Sequence, residues 1–88
     1  MHGGKNLMTQ PTRYRYATPF GMFSIELSES GLWRVRHGRR ELNESGTPED
    51  ALGGLLQNET AWPGGPRNSQ LGLPLDLEDW ARSMRRPR

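Results

Sequence analysis

A single histidine lies within the patterned part of the chain, and it is the natural candidate for acid–base chemistry. A nucleophilic mechanism needs a Ser or Thr beside a His, together with an acid that orients the ring. His37 stands at the predicted end of a strand beside Gly38, among arginines, and no Gly-x-Ser-x-Gly elbow occurs. This pattern favours an exposed turn histidine over a catalytic base.

Carboxylates are the second candidates for acid–base work, in the two sets Glu49-Asp50 and Asp76, Glu78, Asp79. Both sets fall in the first turn of a predicted helix, where acids are stabilised by the helix dipole. The sequence has no cysteine, no second nearby histidine and no spaced Asp/Asn loop that would hold a metal. Gly53-Gly54 lacks the strand and lysine of a phosphate-binding loop. We therefore predict a protein that is not an enzyme, with no catalytic residue, metal or cofactor.

Arginine side chains offer a different chemistry, because the guanidinium group pairs with carboxylates and phosphates. Strand alternation places four arginines on one outer face of the predicted sheet, with Ser24 and Glu26 between them. Cross-strand Arg–Glu pairs neutralise only part of this charge, so positive charge remains in excess. We predict a surface that binds protein or nucleic acid, formed by Arg13, Arg15, Arg34, Arg36, Arg39 and Arg40.

Two classes of partner fit such a surface, and a third interpretation needs no partner. An exposed basic sheet can follow nucleic-acid phosphates, but every strand aromatic falls on the inner side, which argues against stacking on single strands. An acidic protein fits the same charges. Without any partner, the basic strands and the acidic half of the chain neutralise each other within the fold. As the partner we favour a protein, with nucleic acid as the alternative.

The formal net charge of +2 is divided unevenly along the chain. Residues 1–12 carry +1, residues 13–40 carry +4, residues 41–80 carry −7 and residues 81–88 carry +4. Such asymmetry can mark a partner-binding face. The C-terminal arginines are ordinary for a helix end, and they are too few to predict a tail that binds nucleic acid or lipid.

Length and composition limit the class of protein. A chain of 88 residues and 10.0 kDa allows one small domain with a thin core. No apolar run approaches the length of a membrane span, and the region around Lys5 lacks the apolar segment of a secretory signal. The absence of cysteine excludes a disulfide framework and a thiol nucleophile. We expect a cytoplasmic protein without membrane contact.

The arginines must be positioned by strands, and alternating residues predict them. Strands are expected over residues 14–18, 22–27 and 32–37, joined by turns rich in Pro, Gly and Ser. A short fourth strand is expected over residues 40–44, with Leu42 pointing inward. The inner face of this sheet is predicted to hold Tyr14, Tyr16, Phe23, Ile25, Leu27, Trp33 and Val35.

A helix is predicted to follow the strands. Thr47 can accept a hydrogen bond from the backbone N–H of Asp50, and Pro48 suits the first helical position. The apolar stripe of this helix consists of Ala51, Leu52, Leu55 and Leu56. Because Gly53-Gly54 lowers its intrinsic stability, the helix must be held by packing on the sheet.

The last third of the chain predicts a long loop and a second helix. Residues 58–74 contain Pro63-Gly64-Gly65-Pro66, which excludes a regular element. The loop nevertheless carries large apolar residues, so we expect it to wrap the domain and cover part of the core. From Asp76 onward a short helix is predicted, with Leu77, Trp80, Ala81 and Met84 on one face.

Together these elements predict an α+β domain. It consists of a three- to four-stranded antiparallel meander packed against one helix, with a long wrapping loop and a short C-terminal helix. Residues 1–12 are expected to form a disordered lead-in, residues 13–81 the single domain, and residues 82–88 a basic C-terminal tail.

The motifs Ala17-Thr18-Pro19-Phe20-Gly21-x-Phe23-x-Ile25, Thr47-Pro48-x-x-Ala51-Leu52 and Leu71-Gly72-Leu73-Pro74-x-Asp76-Leu77-x-x-Trp80 carry a family resemblance. They resemble those of a family of small uncharacterised bacterial proteins over roughly residues 14–80. The chain departs from the family pattern at Gln57-Asn58, where the family has a glycine pair. The resemblance implies no activity.

From these observations we predict a small non-enzymatic protein that binds another protein stoichiometrically. An inhibitor or accessory factor encoded by a phage or other mobile element fits this size, this lack of catalytic motifs and this polarised charge. The alternative is a nucleic-acid-binding module that uses the arginine-rich face of the sheet.

Overall fold

The computed structural model describes residues 11–83 and has a five-stranded antiparallel sheet at its centre. In chain order the strands are β1 (Arg13–Thr18), β2 (Gly21–Leu27), β3 (Trp33–His37), β4 (Arg40–Ser45) and β5 (Ala81–Ser83). The spatial order is β4-β3-β2-β1-β5. One main helix, α1 (Pro48–Gln57), packs on one face of the sheet. The predicted α+β class, with an antiparallel meander against one helix, is confirmed.

The first turn of the meander is set by Thr18 and Gly21. The Thr18 hydroxyl accepts a hydrogen bond from the Phe20 N–H at 3.0 Å and donates one to the Gly21 carbonyl at 2.9 Å. Gly21 has φ +121°, a conformation that a residue with a Cβ rarely adopts, and an added Cβ would also lie 2.7 Å from His37 Nε2. This turn joins β1 and β2 in the register in which Tyr14 lies opposite Ile25.

Helix α1 begins as predicted. The Thr47 side chain accepts a hydrogen bond from the Asp50 N–H at 3.0 Å, and Pro48 is the first helical residue. The helix ends at Gln57. Of its two glycines, Gly54 packs closely on β4, where the Asn43 side-chain amide would have to move to admit a Cβ.

The core lies between the sheet and α1 and is closed by the segment that follows the helix. The sheet contributes Tyr14, Phe23, Ile25 and Val35, as strand alternation predicts, whereas Leu27, also predicted to face inward, is only partly buried and lies outside the core cluster. Ala61, Leu71 and Leu73 of the loop close the side of the core, as expected. The buried hydrophobic residues are Tyr14, Phe23, Ile25, Val35, Ala51, Leu52, Leu55, Ala61, Leu71, Leu73, Leu77 and Trp80. Tyr16, Trp33 and Leu42, also predicted to face inward, pack against this cluster while staying partly exposed.

The segment after α1 is more ordered than its Pro and Gly content predicts. It forms a four-residue helix, α2 (Asn68–Leu71), and a β-bridge between Thr60 and Arg67. The Asn68 amide group supports this arrangement because its Nδ2 donates to the Leu55 and Asn58 carbonyls. These hydrogen bonds replace the regular ladder that the prolines prevent.

The C-terminal element is a 3-10 turn, Leu77–Asp79, followed by strand β5. A single turn suffices to bury both Leu77 and Trp80, and the Trp80 indole donates to the Pro74 carbonyl at 3.3 Å. The chain then pairs with β1, whose outer edge would otherwise leave backbone groups without partners. Arg82 and Ser83 therefore belong to the sheet. Met84, predicted to share the helical face, and residues 1–10 of the predicted lead-in lie outside the described residues.

Candidate functional site

The face of the sheet opposite α1 carries most of the predicted binding residues. We call it the open face, because no helix of residues 11–83 packs on it. It is formed by the outward-pointing residues of β1–β4, which are Arg13, Arg15, Ala17, Met22, Ser24, Glu26, Arg34, Arg36, Glu41 and Glu44. The register thus brings Arg13, Arg15, Arg34 and Arg36 together, as strand alternation predicts.

One line of residues across the open face is an alternating ladder of charges, which we call the paired row. It runs Glu44, Arg34, Glu26, Arg13 from β4 to β1. Arg34 Nε donates to Glu44 Oε2 at 3.0 Å, and Arg13 Nε lies 3.4 Å from Glu26 Oε2. A further carboxylate, that of Glu41, lies 3.9 Å from an Arg34 Nη1. The guanidinium groups of this row are therefore neutralised within the molecule.

The next line of residues across the face also carries two arginines but has Ser24 where the paired row has a glutamate between them, and we call it the unpaired row. Ser24 of β2 lies opposite Arg36 of β3 on one side and Arg15 of β1 on the other. Within the described part of the chain, neither arginine has a carboxylate within 4.0 Å. Arg36 Nε is buried and has no hydrogen-bond partner among residues 11–83. Ser24 is only 7% exposed, and Arg36 lines a depression together with Arg34, Glu26 and the turn residues Ser28, Glu29 and Ser30.

The charge balance of the open face differs from the one that the sequence predicts. Strand alternation finds four arginines against Glu26 alone, but β4 adds Glu41 and Glu44. Four arginines and three glutamates leave a formal charge of +1. A β-bulge in β4 at Leu42, opposite Val35 and Arg36, sets the register that places both acids on this face. A bulge in an edge strand leaves no pattern in the sequence, which is why these residues were not predicted to line the site.

Two of the predicted binding residues lie away from the open face. Arg39 is exposed in the turn between β3 and β4. Arg40 lies opposite His37 and extends its guanidinium over the ring of Trp62, 5.6 Å from the ring centroid. This cation–π contact fixes Arg40 at the edge of the covered face.

An apolar area adjoins the unpaired row on the open face. Met22 and Ala17 lie opposite each other in the next line of residues and are both exposed, Met22 by 44%. Phe20, in the adjacent β1–β2 turn, is 45% exposed. The alternation of β2 places Met22 on this face, but the sequence alone does not show that it stays uncovered. Exposed apolar side chains beside arginines are typical of protein-binding surfaces.

His37 is part of the packing and is not the exposed turn residue that the sequence predicts. Its ring stacks on Trp62 with centroids 4.2 Å apart and contacts Phe23 at 4.8 Å. Its Nε2 donates to the Phe20 carbonyl at 2.6 Å. The loop that carries Trp62 is too far along the chain for a local pattern to reveal this stack. Across residues 11–83, no three His, Asp or Glu residues are placed to hold a metal ion.

The predicted acidic sets line a groove on the other side of the molecule. A depression of about 340 Å³ lies between α1, the 3-10 turn and β5, with Leu52 and Leu56 in its wall. Glu49, Asp76 and Glu78 also line it. Tyr14 lies at its base, and burial raises the pKa of this phenol, with a smaller rise from Glu49 and an opposing effect of Arg82. The acidic residues that line the groove are exposed, so they do not form a buried acid pair.

No protein-family model matches the chain, and no curated protein or solved structure matches it either. Between residues 11 and 83 no helix has both the length and the apolar character needed to cross a membrane. Function is therefore inferred from the chemistry of the surfaces described above.

Proposed function

We propose that this protein is a non-enzymatic binding protein that acts by stoichiometric protein–protein interaction through the open face. The observation that carries this proposal is that arginines without an ion-pair partner lie next to an exposed apolar side chain on the open face. Arg15 and Arg36 have no partner within residues 11–83, and exposed Met22 lies in the next line of residues. Arginine, methionine and aromatic residues are the types enriched at the centres of protein interfaces.

The charge of the open face supports a protein over a nucleic acid. Binding to a phosphate backbone draws its free energy from many cations and the release of counterions. Here Glu26, Glu41 and Glu44 would face the phosphates, and the formal excess is only +1. The strand aromatics face the core, which leaves exposed Phe20 of the β1–β2 turn as a single aromatic of residues 11–83 beside this face, whereas binding of single strands uses successive stacked bases. A protein partner can match such a mixed surface with charges of both signs.

We propose further that the protein is an inhibitor or accessory factor of a mobile element and acts in the cytoplasm. The support is the small size of the fold: residues 11–83 form a single sheet with one main helix on one face. A protein of this kind acts only by binding to its partner, so a variant that binds more weakly is also less active.

Site-specific crosslinking tests the proposed interaction. A photoreactive residue in place of Met22 should capture one protein partner from the cell of origin in a fixed ratio. Arg15→Glu should abolish this capture, because it reverses a charge in the middle of the surface. Arg67→Glu, which makes the same charge change on an exposed residue outside the open face, should leave the capture unchanged.

The nucleic-acid alternative is tested with the same variants. The protein is titrated with a duplex DNA of about 20 base pairs at about 50 and 200 mM salt. The proposal predicts no binding that depends on Arg15. Tight binding that weakens steeply with salt and is lost in Arg15→Glu would instead establish a nucleic-acid-binding module.

A further inference from the structure

We propose that the unpaired row is a carboxylate-binding site that takes an Asp or Glu side chain of the partner protein. This inference rests on the proposed function and names the group that the partner contributes. The site consists of Arg15 and Arg36 with Ser24 between them. The ligand carboxylate is held between the guanidinium groups of the two arginines, one from each side of the Ser24 position.

The register provides the geometry of a two-sided clamp. Ser24 is the direct cross-strand neighbour of both arginines, so the three residues lie on one line across β3, β2 and β1. Neighbouring strands are about 4.8 Å apart, which separates the two arginine Cα atoms by about 10 Å. Ser24 is only 7% exposed, so the two arginines, and not the serine, form the surface that a ligand meets. A carboxylate has two oxygens and can accept hydrogen bonds from two guanidinium groups at once.

The orphaned donor of Arg36 is the observation that points to a ligand. Its Nε is buried without a hydrogen-bond partner among the described residues. A buried donor without an acceptor destabilises the state in which it occurs. Because this atom is not accessible from outside, the Arg36 side chain must turn outward to donate to a carboxylate of the partner, and this movement relieves the cost. Arg36 lies opposite Glu41 in the sheet, yet the Glu41 carboxylate is directed towards Arg34, at 3.9 Å.

The acids of the open face are already engaged, so the missing carboxylate must come from outside. Glu26 pairs with Arg13, and both Glu41 and Glu44 approach Arg34. These neighbouring carboxylates also disfavour a dianionic phosphate more than a monoanionic carboxylate. Exposed Met22, in the next line of residues, can contact an apolar side chain beside the ligand acid. The partner segment is therefore an acidic residue next to an apolar one.

NMR of the full chain tests this site with defined probes. The arginine Nε–H resonances are followed while N-acetyl-Glu-Leu amide is added up to about 50 mM, a range suited to the millimolar affinity of a small ligand. We expect saturable shifts of the Arg36 and Arg15 resonances. The neutral probe N-acetyl-Gln-Leu amide should bind at least about tenfold more weakly, because it loses the charge-assisted hydrogen bonds.

Two variants and one matched control assign the binding to the clamp. Arg36→Gln and Arg15→Gln should each weaken binding of the Glu-Leu probe about tenfold. Arg67→Gln, an exposed arginine outside the open face, should change it less than twofold, which is roughly the limit set by long-range charge alone. Unchanged backbone amide spectra outside the unpaired row show that each variant is folded.

Two outcomes overturn the inference. One is the absence of any saturable shift at Arg36 Nε. The other is inorganic phosphate binding more tightly than the Glu-Leu probe at the same arginines, which would assign the site to phosphate. If Met22 crosslinking still captures a protein partner in Arg36→Gln, the proposed function stands and only the carboxylate site fails.

Discussion

The two faces of the sheet are built from the same strands, and β2 shows how differently they are used. Phe23 and Ile25 point to the covered face and are completely buried. Ser24 and Glu26, their immediate neighbours, point to the open face among arginines. Burial in the core determines which residue types fit on the covered face, whereas charge pairing determines the arrangement of residues on the open face. A change on the covered face should therefore alter stability, and a change on the open face should alter binding.

The largest effect separates two residues of β2 on opposite faces. Ile25→Ala should lower the free energy of unfolding by about 2–5 kcal/mol, because it leaves a cavity in a thin core. Met22→Ala should change it by no more than about 0.5 kcal/mol, because that side chain is largely exposed. Urea unfolding of both variants measures the contrast. A loss in Met22→Ala as large as that in Ile25→Ala would show that the open face is covered.

A smaller effect separates the two rows of the open face. Arg34→Gln removes an arginine that approaches two carboxylates, so it should cost up to about 1 kcal/mol. Arg36→Gln removes an arginine without such a partner and should stay within about 0.5 kcal/mol of the parent. The Arg34 loss should also shrink in about 1 M salt, which screens ion pairs. Equal and salt-independent losses would contradict the division into a paired and an unpaired row.

The smallest effect at neutral pH concerns Tyr14, at the edge of the covered face. Its hydroxyl has no hydrogen-bond partner within residues 11–83, so Tyr14→Phe should change stability little at pH 7. Burial raises its pKa in the folded state, so the unfolded chain ionises first as the pH rises. The native protein should therefore lose stability above about pH 10, and Tyr14→Phe should lose less. Urea midpoints of both proteins at pH 9 and above test this; parallel decreases would refute it.

The elements that follow from short-range patterns could be predicted from the sequence. The first three strands, their inner faces apart from Leu27, and the cap of α1 at Thr47 depend on residues close together in the chain, and each is found as expected. The 3-10 turn and β5 could not be predicted in this way. Leu77 and Trp80 have helical spacing, but the chain pairs with the edge of β1 from Ala81 onward, so the 3-10 turn does not continue as a helix.

The candidate site could be predicted in part. Alternation alone brings Arg13, Arg15, Arg34 and Arg36 to one face. Which of them are neutralised depends on the bulge in β4, which directs Glu41 and Glu44 towards Arg34. The stack of His37 on Trp62 depends on a loop that returns to the sheet from 25 positions further along the chain. Both features arise from tertiary structure, so a pattern within one segment does not contain them.

The pairing of β5 with β1 has a consequence for the order of folding. Strands β1 to β4 are joined by short turns, so their contacts close small loops and form early. Arg13 and Ser83 face each other although they stand about 70 positions apart in the chain. Closing so long a loop costs more chain entropy than closing any hairpin of the meander. We expect β5 to dock last, so that the four-stranded meander and α1 serve as the nucleus on which the C-terminal segment condenses.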